Sequence, residues 1–431
     1  MRDWRNEYER KKTTAQKAVE VVKSGDRIVF SHACGEPRIL PGELVKRAGE
    51  LREVQIVHMV SMGEGLYCRP ELAASFRHVS LFAGGPTREA IWEDRADYIP
   101  CHNFQIPSLF GTALPVDVAM VTVSPPDAAG FCSLGVSVDY TKKGVECART
   151  VIAEVNPNMP RTHGDSFIHV SRIDHLVEVD LPLYELRKKK MTEVEEEIGR
   201  HAAELIEDES CLQLGIGGIP DGVLANLAHF RDLGIHSEMV ADGVMHLVEK
   251  GVITGDKKTL HKGKIIITFL MGSKNFYEWV HDNPMIEMHT VDYTNNPFLI
   301  AQNKKMISIN SALEVDLLGQ VCADSLGPRQ FSGVGGQVDF IRGAKMSEGG
   351  KAIIALPSTA KDSSRIVPVL KEGAAVTTSR NDVDYVVTEF GIAALFGKTR
   401  RERMKALIQI AHPRDREALS RGAFEIYNVR I

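Results

Sequence analysis

"CLQLGIGGIPDGVLANL", residues 211–227, reads as a strand, a glycine loop and a helix in direct succession. Gly215, Gly217 and Gly218 let backbone N–H groups approach a ligand closely. The helix that follows points its positive end at whatever the loop holds, which favours an anion. Pro220 and Asp221 suit the first turn of that helix. A strand that runs into a helix in this way is the building unit of an α/β sheet. From spacing alone, a tight turn with no ligand serves equally well.

The unit recurs along the chain. Apolar runs at 27–33, 54–60, 79–84, 116–124 and 150–156 alternate with helix-like stretches, and so do runs at 211–217, 234–240, 264–272, 306–310, 352–357 and 384–389. Several are continuous, as in Ile265–Ile267. A strand buried on both faces reads that way, which predicts parallel sheets covered by helices.

At 431 residues the chain exceeds one ordinary core, so two domains are expected. A lysine run at 188–190 followed by an acidic, amphipathic stretch marks a linker, and the boundary is set at 1–185 and 186–431. The halves resemble each other. Residues 18–36 and 202–220 both read as helix, polar turn, strand and small-residue loop, which suggests a duplicated unit. Matching Met59–Val60 to Met239–Val240 sets His58 opposite Glu238, a carboxylate in the second half only.

Composition excludes several classes. A net charge of −5 argues against nucleic acid and anionic membranes as partners, although basic residues can still cluster for a small anionic ligand. The charged N-terminus lacks a secretory core, and no apolar run reaches the ~18–20 residues needed to span a bilayer. Seven cysteines, an odd number without C-x-x-C spacing, exclude a disulfide scaffold or zinc ribbon and fit a reduced cytoplasm. No histidine pair has metal-ligand spacing, so no metal is expected. There is no G-x-S-x-G elbow.

Chemistry concentrates in the second half. Gly215, Gly217 and Glu238 nearly satisfy a dinucleotide fingerprint, but Pro220 stands where the third glycine belongs. A second loop, "QFSGVGGQVDFIRGA" (330–344), holds Gly333, Gly335 and Gly336 ahead of Asp339 and Arg342. Such a loop can turn amides toward an oxyanion, or can be a wide surface turn. Glu389 ends a predicted strand, the end at which open α/β sheets bind ligands.

Taken together, "SPPDAAGFCSLGVSVDY", "LQLGIGGIPDGVL", "GIHSEMVADGV", "KIIITFLMGSK", "FSGVGGQVDFIRGA" and "VTTSRNDVDYVVTEFG" resemble the acetyl-CoA hydrolase/CoA-transferase family, the family I CoA-transferases. The resemblance spans nearly the whole chain. It implies two tandem open α/β domains with mainly parallel sheets and an active site at their interface. It implies Glu238 as catalytic nucleophile, coenzyme A contacts at Gly215, Ile216, Gly217, Gly218, Ile219, Leu313, Gly335 and Gly336, and orienting roles for Asn310 and Glu389.

The activity implied is exchange of coenzyme A between acetyl-CoA and a short-chain carboxylate through a glutamyl thioester. 4-Hydroxybutyrate is the first choice of acid, with butyrate or propionate next. Coenzyme A is then a substrate, with no permanently bound cofactor, and relatives form homodimers or homotetramers. Three other readings stay open: acetyl-CoA hydrolysis by the same residues, an NAD-dependent oxidoreductase from the near-fingerprint, and a non-catalytic coenzyme A-binding subunit, which the intact H-S-E-M run argues against.

Overall fold

A computed structural model of the chain describes residues 4–186 and 190–431, so Lys188 and Lys189 of the lysine run lie outside the described residues. The chain divides into two compact units. One comprises Met1–Arg187 with Ile266–Thr294, the other Lys188–Ile265 with Asn295–Ile431. The stretch Ile266–Thr294 thus packs with the first unit, a return that the single boundary at 185 does not contain.

The first unit is built on seven strands: β1 (Arg27–Phe30), β2 (Val54–His58), β3 (Phe76–Ser80), β4 (Ala96–Tyr98), β5 (Val118–Val123), β6 (Thr150–Val155) and β7 (His175–Glu178). Their order is β7-β6-β5-β1-β2-β3-β4, all parallel. The continuous Val/Met run of β5 is buried at every position, as expected of a strand covered on both faces.

The second unit carries β8 (Cys211–Gln213), β9 (Gly234–Ile235), β10 (Met306–Ser311), β11 (Lys351–Ala355), β12 (Tyr385–Thr388) and β13 (Gly391–Ala394). Their order is β9-β8-β10-β11-β12-β13, parallel except for the β12–β13 hairpin. Helices α1 (Glu193–Ala203), α2 (Gly218–Ala225), α3 (Gln337–Met346) and α4 (Arg400–Ile410) belong to this unit. Thr192 opens α1 with a capping box closed by Glu195. The core gathers Ile354, Val386, Ile341 and Leu407, all fully buried. Full burial of such side chains stabilises by about 1.5–3 kcal/mol each. Among the described residues no helix is long and apolar enough to cross a membrane.

Both sheets share one arrangement, β2-β1-β5-β6-β7 in the first and β9-β8-β10-β11-β12 in the second. This common order carries the duplication better than the thin sequence identity does. It also corrects the residue match. Ile28 pairs with Ile56, and Leu212 with Ile235. With Ile28 set on Leu212, as residues 18–36 and 202–220 align, Met59 falls on Glu238 and His58 on Ser237. A slip of one residue swaps the faces of a strand, so the ladder decides the register where sequence identity is sparse. His58 is a buried structural residue: Nδ1 lies 3.0 Å from the Tyr67 hydroxyl and Nε2 lies 3.1 Å from the Ser31 carbonyl oxygen.

Several runs are shorter strands than their apolar pattern suggests. The run 211–217 leaves the sheet after Gln213, and 79–84 is realised earlier as Phe76–Ser80. The run 234–240 breaks into Gly234–Ile235 and Met239–Val240, with His236, Ser237 and Glu238 in the gap. Apolar character marks burial, and burial continues through that gap at His236 and Ser237.

Candidate active site

The strand order of the second unit reverses between β8 and β10. In open parallel sheets the crevice beyond the carboxyl ends at such a reversal is the usual ligand site. Three segments leave the sheet there: the glycine loop after β8, the His236–Glu238 gap after β9, and the end of β10.

The glycine loop is open on its free side. A side-chain carbon placed on Gly215 or Gly217 would meet nothing within 4 Å. Gly217 holds φ +110°, which a side chain would strain. The same test at Gly218 strikes the carboxylate of Glu195, so that glycine serves packing against the start of α1. Ile216 is 40% exposed, whereas Ile219 is buried in the first turn of α2. Of the five residues expected to hold coenzyme A, Gly215, Ile216 and Gly217 therefore present open surface, and Ile219 turns its side chain into the core.

The gap after β9 is pinned from within. The His236 backbone N–H donates to the Leu212 carbonyl at 3.2 Å. Its ring Nδ1 lies 3.2 Å from the buried Asn303 amide nitrogen, which can only donate, so Nδ1 accepts. Ser237 donates to the Leu214 carbonyl at 3.0 Å and lies 2.7 Å from the Met239 carbonyl. The hydroxyl thus ties the start of the glycine loop to the residue after Glu238.

Glu238 is half-buried and is met by a group the sequence did not single out. Asn295 Nδ2 donates to Glu238 Oε2 at 2.6 Å, and the same nitrogen lies 3.4 Å from Oδ2 of Asp339. Both partners are carboxylates, so the amide must turn its N–H₂ toward them. Asn295 is fully buried and Asp339 nearly so. Gly336 closes the other side: a side-chain carbon there would overlap Glu238 Oε2 and press on Asn295 Nδ2. Gly336 is also the N-cap of α3, whose first amides have no carbonyl within the helix to bond. The arrangement is a carboxylate whose one oxygen is held by a buried amide at the foot of a helix.

The other expected residues take up different stations. Asn310, at the end of β10, donates to Gln213 Oε1 at 3.0 Å and Ser308 Oγ at 2.8 Å. The amide that reaches Glu238 is Asn295, not Asn310. Glu389 stands in the β12–β13 turn, where its two oxygens accept from the Ser358 N–H at 2.9 Å and hydroxyl at 2.6 Å. It orders the loop after β11. Leu313 lines a cleft with Arg365 and Lys371. In "YTNNP" the recognisable signal is the cap at Asn296, which accepts from Phe298 N–H, and nothing in the string distinguishes its neighbour Asn295.

In the first unit, "SPPDAAGFCSLGVSVDY" is occupied with its own backbone. Asp127 accepts from Ala129 N–H and Phe131 N–H, and Asp139 from Tyr140 N–H and Thr141 N–H. All seven cysteines are free.

The model for the acetyl-CoA hydrolase/transferase N-terminal domain matches residues 1–182, and that for the C-terminal domain matches residues 272–423. The chain belongs to the acetyl-CoA hydrolase/transferase family. This family I CoA-transferase is 58% identical over 420 residues to 4-hydroxybutyrate coenzyme A transferase of Clostridium kluyveri, covering 97% of this chain and 98% of that one. It is 45% identical to succinyl-CoA:cyclohexane-1-carboxylate CoA transferase of Geobacter metallireducens, covering 98% and 97%. The crystal structure of 4-hydroxybutyrate CoA-transferase from Porphyromonas gingivalis superposes with a TM-score of 0.85 at 42% identity, covering 99% of this chain and 100% of that one. A CoA-transferase of this family takes coenzyme A as part of its substrate and not as a resident cofactor.

Proposed function

We propose that the protein moves coenzyme A between acetyl-CoA and 4-hydroxybutyrate through a thioester on Glu238. The observation that carries this reading is the grip of Asn295 Nδ2 on one oxygen of Glu238, beside a glycine at the foot of α3. The choice of 4-hydroxybutyrate rests on the relatives of that name, at 58% and 42% identity.

Glu238 attacks the thioester carbonyl through the carboxylate oxygen that Asn295 does not contact and expels the coenzyme A thiolate, leaving a mixed anhydride of acetate and the glutamyl side chain. The thiolate then attacks the glutamyl carbonyl. At that moment negative charge gathers on the glutamyl oxygen that Asn295 already contacts. A donor fixed there before the reaction stabilises the charge without reorganising. Acetate departs and glutamyl–coenzyme A remains. The incoming acid reverses both steps. One carboxylate and one thioester are consumed and one of each is formed, so no external energy source enters. Splitting the exchange in two predicts ping-pong kinetics.

The test is to incubate the protein with acetyl-CoA, digest it and weigh the peptide that contains Glu238. The expected result is an adduct of coenzyme A mass that borohydride removes. Its absence, with full activity in Glu238→Ala, overturns the mechanism. Rapid release of coenzyme A in buffer without an acceptor acid makes the enzyme a hydrolase instead. A higher kcat/KM with butyrate or propionate than with 4-hydroxybutyrate overturns the choice of acid alone.

A further inference from the structure

Asp339 is a carboxylate that the exchange at Glu238 leaves unused. It is 1% exposed and stands in the first turn of α3, three residues after the N-cap Gly336. A buried charge needs compensation, and the dipole of that turn favours a carboxylate there. Its Oδ2 lies 3.4 Å from Asn295 Nδ2, the nitrogen that donates to Glu238 Oε2 at 2.6 Å. Two carboxylates thus share one amide nitrogen.

The oxygen end of the same amide is different. Asn295 is fully buried, and among the described residues its Oδ1 has no hydrogen-bond partner. No hydrogen bond at that end opposes a half-turn of the amide, which would exchange Nδ2 for Oδ1 at Glu238. The nitrogen carries two hydrogens and the oxygen only lone pairs, so the half-turn converts a donor into a repelling acceptor. The orientation is therefore set at the nitrogen end, by the charges of Glu238 and Asp339. In the resting enzyme Glu238 is the nearer of the two. In the mixed anhydride and in the glutamyl thioester Glu238 is neutral. A neutral carbonyl holds an N–H only about half as strongly as a carboxylate does. Asp339 keeps its charge throughout.

We propose that Asp339 is a positioning residue that keeps Asn295 in its donor orientation while Glu238 is acylated. The inference rests on the glutamyl thioester reading above. Discharge of that thioester starts from the neutral state. An oxygen of the incoming acid attacks the glutamyl carbonyl carbon, and the carbonyl π pair moves onto Oε2. Collapse of this oxyanion expels the coenzyme A thiolate and leaves the anhydride. The thiolate then attacks the acyl carbon of the anhydride and expels Glu238 as a carboxylate. The donor is needed in the first of these steps, when Glu238 has no charge of its own to hold it. Asp339 acts there through Asn295 and not on the substrate.

Single-turnover discharge by the full chain tests it. Enzyme–coenzyme A is formed with acetyl-CoA, separated from acetate and excess acetyl-CoA, and mixed with acetate, and the acetyl-CoA released is followed. Asp339→Asn is expected to lower the rate at saturating acetate about tenfold, the usual effect of losing one hydrogen bond to a charged group. The acetate concentration that half-saturates the reaction should not rise. In the Asn295→Ala background the same substitution is expected to cost less than about twofold, because a residue that acts only through Asn295 has nothing left to act on. Asp339→Glu keeps the charge and is expected to discharge faster than Asp339→Asn. An unchanged rate in Asp339→Asn, or equal losses with and without Asn295, overturns the proposal. Loss of the fold in both Asp339 variants assigns the residue to stability and overturns it too. A wild type that forms no enzyme–coenzyme A overturns the thioester reading itself, a result distinct from a discharge that ignores Asp339.

Discussion

Asn295 Nδ2 lies 2.6 Å from Glu238 Oε2, although the two residues are 57 positions apart in the chain. The contact joins the gap after β9 to the segment that re-enters the second unit at Asn295. It gives the carboxylate a fixed donor on one oxygen.

Replacing that donor tests its role. Asn295→Ala is expected to lower kcat about 10²–10³-fold, the usual effect of losing one oxyanion donor. The accumulation of the glutamyl thioester, followed by mass after a single addition of acetyl-CoA, should slow in parallel. Unchanged kinetics would place the donor elsewhere.

Gly336 sets a steric limit. A methyl group at this position overlaps Glu238 Oε2, so Gly336→Ala must push the carboxylate or its donor aside. A displacement of about 1 Å is enough to cost ~100-fold in rate. The loss should appear in kcat at near-constant melting temperature. Wild-type kcat in this variant contradicts the geometry.

Ser237 holds two segments with one hydroxyl. Ser237→Ala removes the donor to the Leu214 carbonyl and leaves the Leu214 N–H, 3.3 Å away, without that acceptor. The site is buried, so a loss of about 1–3 kcal/mol in stability is expected. Denaturant midpoints measure it. The KM for acetyl-CoA should rise as well, because the glycine loop starts at that carbonyl.

Stability should fall on the acid side for a reason found in the first unit. His78 is fully buried between the Ile56 carbonyl and the Tyr67 ring, and burial lowers its pKa from 6.5 to about 4. The unfolded chain therefore takes up a proton in that window that the folded chain refuses. Stability is fully present above pH 6.5 and is lost as pH drops toward 4. Between pH 7 and 5 this histidine accounts for about 2 kcal/mol. Glu36 and Glu154 are pushed up by burial and work in the opposite direction, equally in both proteins. The difference in urea midpoints between wild type and His78→Gln isolates the histidine, and identical acid profiles would refute its role.

Much of the fold was legible in local pattern. The Val/Ile runs announced covered parallel strands, and the string at 211–227 became strand, open loop and helix in the order it suggested. Such features depend on a residue and its near neighbours, which the sequence states directly. Strand limits were less legible, because apolar character reports burial, and buried backbone can leave a sheet, as it does at His236 and Ser237.

By itself the sequence determined the α/β class, the duplicated unit and the prominence of Glu238 between two glycine loops. Tertiary structure alone decided the partners. It paired Glu238 with Asn295, turned Ile219 inward, and matched Met59 rather than His58 to the position of Glu238. It also gathered Arg365, Lys371 and Leu313 around one cleft. The physical reason is common to all of them. Which face a side chain presents follows from ladder register and from the return of distant segments, and a shift of one residue reverses it.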